Sequence, residues 1–206
     1  MPGELTAGQA HDRGILIRIS EIGDDGMPDR TPVETTNLNQ YGHDALPWSG
    51  VIDALNTVYP DPPAPGQDMF TVLGTVLPDG RPHAASVGAM WIDGAWFVVS
   101  GPGTRKSRNL ASNPACTLTA KLPGIDVVFV GEAHRVTDAK TLERVAEVYR
   151  GVGWPAEVDG DGFTAPYTAP SGGPPPWNLY RIACHEAFGV GTSQGTDGAT
   201  KWTFDS

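Results

Sequence analysis

The sequence predicts a mainly β fold with a few interspersed helices, built as an antiparallel barrel and not as a doubly wound parallel sheet. Three observations predict it. The 206 residues include 26 Gly and 19 Pro, which cut the chain into short elements. Apolar, β-branched runs recur through its middle. The links between those runs are mostly tight turns, which join antiparallel neighbours.

Residues 1–47 read as an N-terminal extension and residues 48–206 as one barrel domain. The extension holds one β-like run, Ile15 to Ile19, and turn formers from Gly23 to Pro32. From Trp48 the period becomes helical, with Val51, Ile52, Leu55, Val58 and Tyr59 on the same face. Four prolines between Pro60 and Pro65 end that helix. Phe70 to Leu77 is a strand, Pro78-Asp79-Gly80 a turn, and Arg81 to Ile92 the next strand. Asp93-Gly94 is a hairpin signal, and Ala95 to Ser100 is the returning strand.

A short helix follows from Arg105 to Ser112, with Thr104 as its N-cap and Asn113-Pro114 as its stop. Ala115 to Lys121 and Ile125 to Val136 are strands around the turn Pro123-Gly124. The next helix starts at Thr137 or Asp138 and presents Leu142, Val145, Ala146 and Tyr149 on one face. Residues 154–177 form a Gly/Pro-rich loop carrying Trp154, Phe163, Tyr167 and Trp177. Leu179 to Val190, with a bend, and Ala199 to Phe204 are the last strands.

The net charge of −10 speaks against nucleic acid and anionic membranes as partners. With no basic-then-apolar leader and no apolar run near 18 residues, the expectation is a soluble, cytoplasmic protein. Cys116 and Cys184 read as buried, reduced thiols. Cys184 and His185 are adjacent on a strand and point to opposite faces, so no metal site is expected there; His134 has no ligand spacing either.

Only 14 residues are Lys or Arg, yet Arg105, Lys106 and Arg108 fall within four positions. They open a helix directly after Gly101-Pro102-Gly103. Free N–H groups and a positive dipole end make such a start an anion site, and Arg105 is able to grip phosphate bidentately. The local run is equally compatible with a solvated basic helix start. A nucleotide P-loop needs a second Gly where Arg105 stands, and the antiparallel order excludes it.

The run Phe70 to His83, with Asp79-Gly80-Arg81-Pro82-His83, followed by Gly103-Thr104-Arg105-Lys106-Ser107-Arg108-Asn109-Leu110, then Asn113-Pro114 and a strand, resembles the pyridoxamine 5′-phosphate oxidase-like superfamily. That superfamily includes flavin/deazaflavin oxidoreductases, and the chain looks more like that branch. The match spans roughly residues 48–136, with a weaker echo from Trp177 to Phe204. The resemblance implies a six-stranded antiparallel split β-barrel of the FMN-binding type, forming a homodimer with cofactor sites at the interface. It implies that Thr104, Arg105 and Lys106 take the cofactor phosphate, with Ser100 beside them and Asn109 in support, and that the backbone of Ser86, Val87 and Gly88 faces the ring. Where pyridoxamine phosphate oxidases proper carry an Arg and a Lys on the second strand, this chain has Ala85 and Met90. A C-terminal Arg-x-His element is also missing. The resemblance therefore implies coenzyme F420 as cofactor, with FMN as the alternative, and hydride transfer to or from a small organic substrate.

No side chain declares itself as catalytic; His83 and Tyr167 are the two that could reach such a site. A second reading is a non-catalytic barrel that holds flavin, F420 or haem for storage or sensing. The long aromatic loop, read as a lid over an apolar substrate, favours the enzyme; read as a pin holding the loop to the barrel, it favours neither.

Overall fold

Alternating burial along the β-branched runs builds one antiparallel sheet that curls on itself. The computed structural model describes residues 31–59, 70–167, 172–193 and 197–205. The run Ile15–Ile19 and the prolines from Pro60 to Pro65 lie outside them. β1 (Glu34–Asn37) pairs with the last strand, and α1 (Trp48–Val58) buries Val51 and Leu55 as its period requires. β2 (Thr71–Val76) and β3 (Pro82–Ser86) form a hairpin. Gly80 turns it with φ +84°, and the Asp79 carboxylate, held low by the Arg81 side chain and amide, closes the turn. β4 (Ala89–Ile92) and β5 (Ala95–Ser100) form the next hairpin. Asp93 and Gly94 there have φ +49° and +76°, the conformation a two-residue turn of this hand demands.

α2 (Arg105–Ser112) leads to β6 (Ala115–Leu122) and β7 (Ile125–Val136), then to α3 (Ala139–Gly151). β8 (Glu157–Asp159) and β9 (Gly162–Thr164) make a small separate hairpin. β10 (Asn178–Gly191) and β11 (Ala199–Thr203) complete the chain. The sheet runs β1-β11-β10-β7-β6-β2-β3, with β5 paired to both β10 and β4. β10 therefore serves two neighbours along one edge. Asn178–Ile182 face β5 and Glu186–Val190 face β11, while β7 takes its other edge throughout. The register shifts between Cys184 and Glu186, where the strand changes neighbour.

Two expectations need correction. The stretch Arg81–Ile92 is not one strand: it breaks at Val87–Gly88, with β3 on β2 and β4 on β5. Thr71 makes the break. Its hydroxyl donates to the Val87 carbonyl and accepts from Ala89 N, and its own carbonyl accepts from Val87 N at 3.2 Å. The strand count also exceeds six: eleven strands lie among the described residues. The ring itself has six places, β2, β3–β4, β5, β10, β7 and β6. β1, β11 and the β8–β9 hairpin are additions to it.

Two apolar clusters flank the sheet. The barrel interior is filled by α1, Leu73, Trp96, Val98, Leu118, Phe129, Ile182 and Trp202. The outer cluster packs α3 and the β8–β9 hairpin on Met90, Ile92, Phe97 and Leu179. β5 is consequently buried on both faces. Cys116 and Cys184 are free and buried in the interior cluster, and burial, with help from the Glu132 charge, pushes the Cys116 thiol up to about 12. Phe163 and Trp177 are fully buried in the outer cluster with Trp154 beside them. These aromatics pin the 154–177 segment to the barrel. Tyr167, 47% exposed, is the one left outside.

Candidate functional site

The turn between β5 and α2 is built from small residues for a packing reason. A side chain at Gly101 would run into the carbonyl of Gly172, so only glycine lets the end of the 154–177 segment cross here. Gly101 then accepts a 3.0 Å hydrogen bond from Thr104 N, and α2 begins. Thr104 caps it: its Oγ1 accepts from Ser107 N at 3.3 Å. Arg108 N reaches the Thr104 carbonyl, and the Arg108 guanidinium donates to the Gly103 carbonyl. The backbone N–H groups of Arg105 and Lys106 have no acceptor among the described residues, as the first donors of a helix do not unless something outside it supplies one.

Three hydroxyls lie behind the turn. Ser107 Oγ donates to Ser100 Oγ at 2.9 Å, Thr104 Oγ1 donates to Ser107 Oγ at 3.1 Å, and Ser100 and Thr104 are 2.9 Å apart. With the other two directions set, Ser100 donates to Thr104 and the ring closes. Bonded to one another in this way, Thr104, Ser100 and Ser107 shape the turn. The donors left over are the two N–H groups, the exposed Arg105 and Lys106.

Lys106 is the unusual member. It is 8% exposed, no carboxylate pairs with it among the described residues, and burial holds its ammonium below the ordinary lysine range. A buried cation without a counter-charge is costly unless an anion completes it. Asn109, one turn further, is also buried; its Nδ2 donates to Thr75 Oγ1 of β2 at 2.9 Å, and that hydroxyl lies 3.3 Å from His83 Nδ1 on β3.

Its hydrogen bonds divide the expected ring-facing strand. Leu77 N donates to the Arg81 carbonyl and Val87 N to the Thr71 carbonyl. With an unbroken register between them, the residues of β3 that bond inward alternate with Ala84 and Ser86, whose N–H and C=O groups point to the free edge. Val87 spends both backbone groups on Thr71. The Gly88 carbonyl accepts from Tyr149 Oη of α3 at 3.4 Å. Open backbone groups are thus those of Ala84 and Ser86 and the Gly88 N–H. No hydrogen bond joins Ser86, Val87 or Gly88 to the α2 turn; the two parts connect through Thr75. Met90 is buried against the outer cluster, and Ala85 offers no charge. Tyr167 makes no hydrogen bond or ring contact with the turn or with β3 among the described residues.

Thr71, Thr75 and Ser107 organise the site and were not singled out in the sequence. A signal existed for the first two: they occupy inward positions of an alternating strand, where an apolar residue is the rule. Among the described residues no cluster of three or more His, Cys, Asp or Glu could hold a metal ion, and no helix is long and apolar enough to cross a membrane.

Several solved structures are similar. General Stress Protein 26 from Bacillus anthracis str. Sterne is 16% identical, with 68% of this chain and 93% of that chain covered and a TM-score of 0.45. A pyridoxamine 5′-phosphate oxidase-related, FMN-binding protein from Nostoc punctiforme PCC 73102 is 13% identical, covering 79% and 99% at a TM-score of 0.46. A structure titled F420 reductase is 15% identical, covering 58% and 88% at 0.41. No curated protein matches the chain significantly. The family model for pyridoxamine 5′-phosphate oxidase matches residues 66–170, which include β2 to β9 and the whole α2 turn, and the chain belongs to that family of FMN-binding split barrels.

Proposed function

We propose that this protein is an oxidoreductase that transfers a hydride between a flavin-type cofactor, coenzyme F420 or FMN, and a small organic substrate. The cofactor phosphate rests on the N–H groups of Arg105 and Lys106, with both side chains closing on it. The ring lies along the free edge of β3, where Ala84, Ser86 and Gly88 offer backbone groups. One observation carries the reading: Lys106 is buried at an open helix start, with no carboxylate paired to it among the described residues. The surroundings fit a planar, phosphorylated guest. A Cβ added at Gly88 or at Gly103 would meet nothing within 4 Å, so both parts of the site open onto free space.

The bound cofactor supplies the hydride chemistry; the chain supplies orientation and a counter-charge. F420 is the leading cofactor because the uncharged Ala85 and Met90 stand where the family's vitamin B6 oxidases carry cations. The unpaired edge of β3 supports a homodimer that shares this site. A non-catalytic cofactor carrier keeps one specific support. Trp154, Phe163 and Trp177 are consumed in pinning the 154–177 segment, so these three supply no lid that would speak for catalysis.

The test is spectroscopic. Purified protein mixed separately with FMN and with F420 should perturb the absorption band of one of them. Arg105→Ala and Lys106→Ala should each weaken that binding with the thermal melt retained. Unchanged affinity in both variants would remove the phosphate from this turn, and binding without turnover across a broad acceptor panel would leave the carrier.

A further inference from the structure

Thr75 is a hydroxyl placed in the barrel's inward row, between two groups that each have a use for it. Asn109 Nδ2 donates to its oxygen at 2.9 Å from α2. That leaves the Thr75 proton free to donate in turn. Its neighbours on the far side are His83 Nδ1 at 3.3 Å and the His83 carbonyl at 3.5 Å. His83 and Thr75 are paired across β2 and β3 in a hydrogen-bonded register, so that carbonyl already accepts from Thr75 N. The ring nitrogen is the nearer acceptor and the one without another donor. A histidine whose Nδ1 accepts carries its proton on Nε2.

We propose that Thr75 is a positioning residue that fixes His83 as the Nε2–H tautomer, so that the half-buried imidazole presents a hydrogen-bond donor on β3 beside the Lys106 anion site. The location follows from the helix. Lys106 and Asn109 are three residues apart and share a face of α2, and Asn109 is the residue that reaches Thr75. The relay therefore ties the phosphate turn to the strand along which the ring lies, and a substrate or ring carbonyl there meets a donor of fixed direction. This rests on the proposed cofactor site only for what His83 faces; the tautomer is a property of the chain alone.

Long-range proton–nitrogen correlation of the full-length protein, labelled at histidine nitrogens and recorded at about pH 9 where imidazole is neutral, reads the tautomer directly. His83→Gln assigns the signal. The wild type should show His83 as Nε2–H. Thr75→Val should return it to a mixture of tautomers with the melt retained, and Thr75→Ser should restore it. Asn109→Leu should weaken the preference by leaving the Thr75 proton free to turn. An Nδ1–H pattern in the wild type, or an unchanged pattern in Thr75→Val, would overturn the proposal. Adding FMN or F420 to the wild type should move the Nε2 resonance. If neither cofactor binds at all, the function proposed above falls and the tautomer result is read independently; if one binds and Nε2 does not move, the donor role falls alone.

Discussion

α2 and α3 start in the same way and end up with opposite electrostatics. Each has a side-chain cap accepting from the third helical N–H: Thr104 takes Ser107 N, and Asp138 takes Thr141 N at 2.8 Å. At α3 the cap is a carboxylate, which meets the positive end of the helix dipole within the chain itself. At α2 the cap is a neutral hydroxyl locked in a ring, and two cations, one of them buried, stand where an acid would normally be welcome. Helix α3 is complete by its own sequence. Helix α2 gathers N–H groups, dipole and ammonium around a place that no carboxylate among the described residues balances.

Making α2 resemble α3 should have the largest effect. Thr104→Asp keeps a cap for Ser107 N, so the melt should stay within a few degrees. It places a like charge beside the proposed phosphate position, and cofactor affinity measured by titration should fall on the order of a hundredfold. Retained affinity would mean that the two helix starts do not differ in the way described.

Lys106→Met should come next, because it removes the buried charge and keeps the apolar stem. Without cofactor it should gain stability, about 1 kcal/mol by denaturant melt, since the cation has no carboxylate partner among the described residues to lose. The pH dependence gives the sign independently. Burial lowers the Lys106 value in the folded chain, so between that lowered value and the ordinary lysine range of about 10.4 the unfolded chain binds the extra proton. Wild-type stability should therefore rise with pH across that window, and the rise should be missing in Lys106→Met. A parallel pH profile in both would show that Lys106 is not the strained group.

Asp138→Ala should do least to the site. Losing the cap should cost about 1 kcal/mol of stability and leave cofactor affinity unchanged. A change in affinity would mean that α3 also shapes the site, through Tyr149 and the Gly88 carbonyl.

The sequence showed what local chemistry decides. The α1 face, the Asp93-Gly94 turn, the Thr104 cap and the β7 limits are all set by residues within a few positions of the feature itself. It could not show what distant residues decide. Ser86-Val87-Gly88-Ala89 continues the period-two pattern with Gly88 as its one irregular member, and the break is held by Thr71, on another strand. β1 is missing from the reading because Glu-Thr-Thr-Asn has no apolar signature; it joins the sheet by backbone pairing with β11, in register Glu34 to Thr203. For the site, the clustering of Arg105 and Lys106 was visible, but the burial of one and the exposure of the other depend on how α2 lies against β2.

The join between β3 and β4 has a mechanical side. Every other neighbouring pair in the ring is zipped by a ladder, but here the circuit is sewn by two residues of chain, Val87 and Gly88, held by one threonine and one tyrosine. Such a seam rests on three hydrogen bonds to Thr71 and one from Tyr149, where its neighbours rest on full ladders. It lies at the end of the strand that the ring is proposed to follow. A planar guest seated along β3 would rest against that seam.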